Sequence, residues 1–480
     1  MKKIYIFSCL LALIASSCSD FLDVRPKGEK VENDLFDTPS GFEDAINGVY
    51  GAMAMNSLYG MDLVWGIPEI LGQNLNCGSD VGVDLARYNY SGNQYVRDRL
   101  SAVWTDAYKA IGYANNVLQN LEKQSPDNLP LYNYYKGEML GVRAMLHFDL
   151  LRLFAPTDKS KQGIPYVTSY SFSVKPFSTV GEVYTKLIAD LTEAESLLAD
   201  DEKVMKYPRD NSQYDKFLNW RETHINLYAV RALLARVCWM SGDNANAAKY
   251  AESVISSGRF PLVEPDKVPT CIAGVLSPEE TIFGLYSNSY LDVSQKYLYT
   301  YSSYFSYNPY DNITGATRLE PWTALYSLDV DATTQDFRRN QFRQSGGVAM
   351  SLKLVDCETI EQTVSSSRNL ISGISLINTS EMYLIAADAL FATNPEKALG
   401  YFNDEIKSRG LTALQSIADL NTEKIYNEFH KELYGLGQHW YNLKRLNRDI
   451  VSNHESRVIP ASESVYVLPI PQEEFEYRPK

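Results

Sequence analysis

Apolar residues recur every three to four positions through much of this 480-residue chain, a period that marks amphipathic helices. Phe42, Ile46, Val49, Tyr50 and Met53 share one helical face, and Ser40 with Glu43 supplies a possible capping box in front of them. Leu100, Val103, Trp104, Ala107, Tyr108, Ile111, Ala114 and Leu118 keep the same period and predict a long helix. After a turn around Pro126 to Pro130, Val142, Leu146, Leu150, Leu153 and Phe154 line a second long helix that stops before Pro156. These two form a helical hairpin. Thr179 and Glu182 make a further capping box ahead of Val183, Leu187, Leu191, Ala194 and Leu198.

Two later stretches share one design. Leu227, Val230, Leu234 and Val237 precede a turn at Gly242, and Ala247, Ala248, Ala251, Val254 and Ile255 follow it before Gly258. Met382, Ile385 and Ala389 precede a break at Asn394 and Pro395, followed by Leu399, Phe402 and Ile406 before Arg409 and Gly410. A helix, a short turn and a second helix with small residues at the crossing is the logic of tetratricopeptide units, here degenerate and scattered. From Gly258 to Ile377 the helical period fails; loops with a few short strands are expected there, and a smaller irregular stretch from Gly60 to Asn93. Long irregular segments in a helical body usually carry function, and the two are expected to meet on one face of the frame.

The first apolar run ends at a cysteine. Lys2 and Lys3 precede a stretch from Ile4 to Ala15, and Ala15, Ser16 and Ser17 lead into Cys18. This is a secretory signal, too short for a membrane span, and it resembles a bacterial lipoprotein signal in which Cys18 becomes the acylated first residue. Ala15 stands where such signals usually carry Leu. Loss of residues 1–17 would leave 463 residues (480 minus 17) and move the formal charge from −14 to about −16, since both lysines leave. So acidic a body argues against nucleic acid as a partner. Cys77, Cys238, Cys271 and Cys357 stand far apart without metal-ligand spacing, and Cys238 reads as a buried small residue.

No GxSxG, HExxH, GxxxxGK or GxGxxG occurs, and the five histidines do not pair at metal spacing; His147 reads as a packed or capped helix residue. Neither a metal nor a cofactor is expected. Asp329, Asp331 and Asp336 lack the glycine and closing glutamate of a calcium loop and read as a solvated turn. Carboxylates such as Glu279 and Glu280 are too common in an acidic chain to indicate glycoside hydrolysis. The aromatic signal is stronger: nine of the 34 tyrosines fall between Tyr286 and Tyr326, with Trp322 among them. Tyr297, Tyr299 and Tyr301 alternate as on one face of a strand. Flat rings of this kind stack on sugars or peptide side chains, and they would equally serve to pack a loop onto the helices. Tyr88 and Tyr90 in LARYNYSGN form a smaller platform with the same two readings.

The segment GVRAMLHFDLLRLFAPTDKSKQGIPYV resembles the signature helix of SusD/RagB-type outer-membrane lipoproteins. CSDFLDVRP, FSTVGEVYTKLIADLTEAESLL, RALLARVCWMSGDNANAAKYAESVI, EETIFGL, TSEMYLIAADAL, NDEIKSRGL, KELYGLGQHWYNLKRL and VLPIPQEEF follow in family order. Departures occur around His430 to Gly435 and at Asp388, where the family commonly has acids or Glu. The resemblance implies a mainly α fold: residues 18–480 as one domain, with a frame of four tetratricopeptide-like hairpins over about 38–260 and 378–450. Irregular ligand-facing segments would lie at about 60–95 and 260–377.

It further implies a non-enzymatic, lipid-anchored and surface-exposed protein of the outer membrane. Such a protein binds oligosaccharide and serves as lid for a SusC-like TonB-dependent transporter. RagB-like peptide binding is the alternative, and a tetratricopeptide scaffold that binds only protein is another. The ligand-facing regions carried over from the family place candidate contacts at Asp80, Arg87, Tyr88, Tyr90, Tyr299, Tyr304 and Trp322.

Overall fold

The computed structural model describes residues 35–75, 79–209, 216–265, 267, 276–300, 325–330, 334–345, 348–351, 354, 372–452, 457–476 and 478. Cys18, Tyr304, Trp322 and the cysteines at 77, 271 and 357 lie outside them, as does the side chain of Tyr299. Among the described residues, nine long helices build the frame: α1 (Pro39–Met53), α2 (Gln94–Leu121), α3 (Tyr132–Phe154), α4 (Val180–Leu197), α5 (Leu227–Ser241), α6 (Asn244–Ile255), α7 (Thr379–Leu390), α8 (Pro395–Ser408) and α9 (Thr422–Glu432). Each packs on its neighbour in turn: α2 on α3, α3 on α4, α4 on α5, α5 on α6, α6 on α7, and α7 on α8 and α9. The result is a mainly helical, tetratricopeptide-like superhelix.

Local chemistry explains most boundaries. Thr179 and Glu182 form the expected reciprocal capping box on α4, satisfying two otherwise unpaired donors. Gly242, at φ +80, turns α5 into α6, a left-handed conformation that glycine adopts without a Cβ penalty. The α1 cap differs from the expected one. Thr38 Oγ1 accepts from Gly41 N at 3.2 Å, because Pro39 occupies the first helical position and needs no donor satisfied; Glu43 instead accepts from the Tyr135 hydroxyl at 2.7 Å. Cys238 is buried in α5, and burial pushes its thiol up to about 12, leaving it a small core residue.

The stretch expected to be irregular between Gly60 and Asn93 is largely helical. Asp62–Gly66 forms a π turn that runs into a helix at Ile67–Leu71, and Asp80–Ala86 forms another. Leu63, Val64, Trp65, Ile67, Ile70 and Leu71 are all buried, so this run is apolar on every side and carries no amphipathic period. Tyr297 is likewise helical, in a π turn at Lys296–Thr300 that continues the helix Tyr290–Gln295. The strand predicted from alternating tyrosines is therefore absent up to Thr300; Tyr301 lies beyond the described residues. Tyr297 packs against Trp65 with ring centroids 6.4 Å apart.

Strands fill gaps between helices. β1 (Gln162–Pro165) pairs antiparallel with β2 (Phe177–Thr179), and β3 (Thr281–Tyr286) pairs antiparallel with a distant strand at Gly373–Asn378, just before α7. The segment Phe337–Gln341 is tied to α8 and α9 by a buried charge cluster. Arg338 bonds to Asp336 at 2.7 and 2.9 Å, to Glu432 at 3.0 Å, to Glu405 at 3.4 Å and also to Glu428. Arg409 holds Glu280 and Glu432, and Lys431 holds Glu428. Asp336 is thus buried and ion-paired, contrary to the solvated turn expected there.

Candidate ligand-binding site

The short helices between residues 62 and 86 are bolted to the C-terminal part of the chain. Glu69, fully buried, accepts from Gly435 N at 3.1 Å, Gly437 N at 2.7 Å and Asn74 Nδ2 at 2.7 Å. A Cβ at Gly437 would lie 2.3 Å from the Val64 carbonyl oxygen, so the two segments approach closely only because that residue is glycine. The Tyr434 hydroxyl donates to Asn74 O at 3.0 Å, and Arg99 Nε donates to Asp62 at 2.9 Å.

This rigid base presents Tyr88. Both Gln73 and Tyr88 sit at φ +60, a left-handed conformation that costs a side-chain-bearing residue about 1–3 kcal/mol and concentrates at functional sites. The surrounding bonds enforce it. Gln73 Nε2 donates to Ala86 O at 2.9 Å and to the Tyr88 hydroxyl at 3.2 Å, while that hydroxyl donates to Leu71 O at 2.6 Å. The Tyr90 ring meets Tyr88 edge to face at 6.3 Å, and its hydroxyl donates to Val465 O at 2.6 Å. Asn89 braces the loop between them, bonding to Asp84 and to Gly92 N.

Tyr88 and Tyr90 line an open cleft of about 750 Å³ together with Phe154, Phe475, Lys161 and Glu463. That volume lies within the range of small-ligand sites, and the lining combines flat apolar rings with a few polar groups. Phe475 is half exposed and stacks on Phe177 at 5.8 Å; Arg478 lies 4.2 Å over the same Phe177 ring and fixes the C-terminal segment. Of the candidate contacts, Tyr88 and Tyr90 converge here. Asp80 and Arg87 are exposed at the two ends of the short helix Asp80–Ala86, outside the cleft lining. Lys161, Glu463 and Phe475 were not foreseen. They come from three segments with no shared local pattern.

A family model described as starch-binding and associating with the outer membrane matches residues 20–214. SusD-like protein P2 of Formosa agariphila is 26% identical over 93% of this chain and 91% of its own length. The crystal structure of a SusD superfamily protein from Bacteroides thetaiotaomicron superimposes with a TM-score of 0.69 at 25% identity, covering 92% of this chain and 98% of that one. Over most of its length the chain is similar to SusD-like proteins. The fold is also shared by surface glycan-binding protein A from Bacteroides thetaiotaomicron in complex with laminarihexaose; its TM-score is 0.63 at 17% identity, over 91% of this chain and 97% of that one.

The residues that carry the SusD-like resemblance do structural work in this protein. On α3, Arg143 grips Asp190 with two bonds of 2.7 Å, and His147 Nδ1 donates to Arg143 O at 2.8 Å while Nε2 accepts from Val167 N at 2.9 Å. Asp149 accepts from the Tyr59 hydroxyl at 2.6 Å, and Arg152 bonds Gln438 at 2.8 Å. The helix is buried from Met139 to Phe154 on every side, so its polar residues find partners inside the protein. The helical part of the most recognisable SusD-like motif therefore serves the frame, while its end, from Phe154 to Gly163, reaches the cleft and supplies Phe154, Lys161 and Gln162 to its lining.

Proposed function

We propose that this chain is a cell-surface glycan-binding lipoprotein that captures oligosaccharide and acts as lid for a SusC-like TonB-dependent transporter, without cleaving what it binds. The observation that carries the binding role is the Tyr88 ring, held in a strained backbone by Gln73 and Leu71 and lining the cleft. Preorganised rings of this kind bind without losing side-chain entropy. The laminarihexaose complex of surface glycan-binding protein A supports a glycan as the ligand class. Asp80, Arg87, Tyr299, Tyr304 and Trp322 are the remaining proposed contacts.

Tyr88→Ala is expected to weaken binding of a neutral oligosaccharide about tenfold, or about 1.4 kcal/mol, in calorimetry. An unchanged affinity would remove Tyr88 from the site. Binding of peptides with no response to any glycan would assign the RagB-like role instead. Lipid attachment at Cys18 makes a separate prediction. Cys18→Ala should release the protein from the outer membrane with ligand affinity intact, because a diacylated or triacylated chain contributes about 0.8 kcal/mol per buried methylene. Fractionation that leaves the variant membrane-bound in the absence of the transporter would sink this reading.

A further inference from the structure

The cleft carries two charged side chains among its described lining residues, Lys161 and Glu463, and they are paired with one another across it. Each is at least half exposed, so the pair faces the space a ligand would fill. The other polar lining side chains at the surface are uncharged: Asn89, Ser91, Gln162 and Ser464. Phe475 sits in the C-terminal turn between Glu474 and Glu476, with Glu473 before them. Glu474 is neutralised by Arg478 and accepts from Trp104 Nε1 at 3.0 Å, while Glu473 and Glu476 are exposed. The described cleft lining is thus charge-neutral, with Glu473 and Glu476 exposed near Phe475 and Arg87 and Arg97 exposed near Tyr88 and Ser91, within a chain of formal charge −14.

We propose, resting on the glycan reading above, that this cleft selects uncharged oligosaccharides and rejects uronic-acid or sulfated ones, and that Glu463 sets this preference by occupying Lys161. An uncharged sugar leaves the pair intact and needs only ring faces from Tyr88 and Phe475 and hydroxyl partners from the serines and Gln162. A carboxylated sugar must compete with Glu463 for Lys161, and that competition opposes it. Among the described lining residues Lys161 is the one cation, and Glu463 already holds it.

The test is calorimetry on the mature chain at low salt, with a panel of neutral hexasaccharides, the C6-carboxylated form of each, and hexagalacturonate. The parent protein should bind a neutral oligomer more tightly than its carboxylated form. Glu463→Gln frees Lys161 and should raise the carboxylated-to-neutral affinity ratio about threefold to tenfold, whereas Lys161→Gln should lower it. Both shifts should shrink at 0.5 M salt, where exposed charges are screened. A merely structural pair would move both ligands together and leave the ratio fixed. A parent preference for carboxylated oligomers, or a ratio indifferent to both substitutions, overturns the proposal while leaving the glycan reading standing. No response to any oligosaccharide in parent or variants overturns the glycan reading and this proposal with it. Both side chains are surface-exposed, and unchanged unfolding temperatures verify that the variants fold.

Discussion

Arg338→Met should lower the unfolding free energy by about 3–5 kcal/mol, because removing one partner of a buried ion pair strands the other. Arg338 is 1% exposed and serves Asp336, Glu405, Glu428 and Glu432 at once. Burial pushes Glu428 up, but the charges of Arg338 and Lys431 outweigh it and hold the carboxyl at about 2. Without Arg338 that balance reverses. Glu405 behaves oppositely: burial, and then the Glu428 charge, raise it well above the usual carboxylate range. Glu405→Gln should therefore cost less than Arg338→Met, no more than about 1 kcal/mol, since an amide of similar shape replaces the carboxyl that burial disfavours most in its charged form. Urea unfolding of both variants checks the pair of expectations. A cost under about 1 kcal/mol for Arg338→Met would show that the cluster contributes little. Because Asp336 and Arg338 lie at the foot of the Phe337–Gln341 segment, the same variant should loosen that segment before the frame melts.

The second large effect is acid lability beginning near pH 6.5. Burial pushes His147 and His430 down to about 3, and burial together with the His430 charge pushes His439 well below the ordinary histidine value. Their geometry agrees with neutral rings. His147 Nε2 accepts from Val167 N and has no room for a second proton, and His430 stacks on His439 with centroids 3.4 Å apart. With depressed folded values, the unfolded chain takes up three protons first, so stability is complete above about pH 6.5 and declines as pH falls. Three rings that protonate near pH 6.5 in the unfolded chain and stay neutral when folded lower stability by about 5 kcal/mol between pH 6.5 and 5. Glu405, raised by burial, works against this and offsets part of the loss. Lys444, pushed down by burial to about 7, is protonated in both states below that pH and adds nothing in the window. Urea midpoints at pH 7 and 5 measure the effect, and His147→Gln should remove about one proton from the slope. A midpoint that does not move would refute it.

The helical frame was legible because its determinants are local. The 3.6-residue period of α2, the Thr179 and Glu182 cap of α4 and the glycine after α5 act within one or two turns, and a reader of sequence sees them directly. The same reading failed where burial is two-sided. Residues 62–71 show no amphipathic stripe because every face of that run meets protein, and alternating tyrosines near 297 mimic a strand within a π turn.

The candidate site divides along the same line. Tyr88 and Tyr90 stood out as a local aromatic pair, and sequence alone determined that they lie together in a loop ahead of α2. Whether that pair lined a cleft or packed wholly into the core was a matter of what else converged on it. Only the tertiary structure decided this, by bringing Lys161, Glu463 and Phe475 from far along the chain to one cleft and by forcing Tyr88 to φ +60 against Gln73. Local periodicity encodes which face of a helix is buried; through-space convergence and backbone strain leave no periodic trace, so they are settled only when the frame closes.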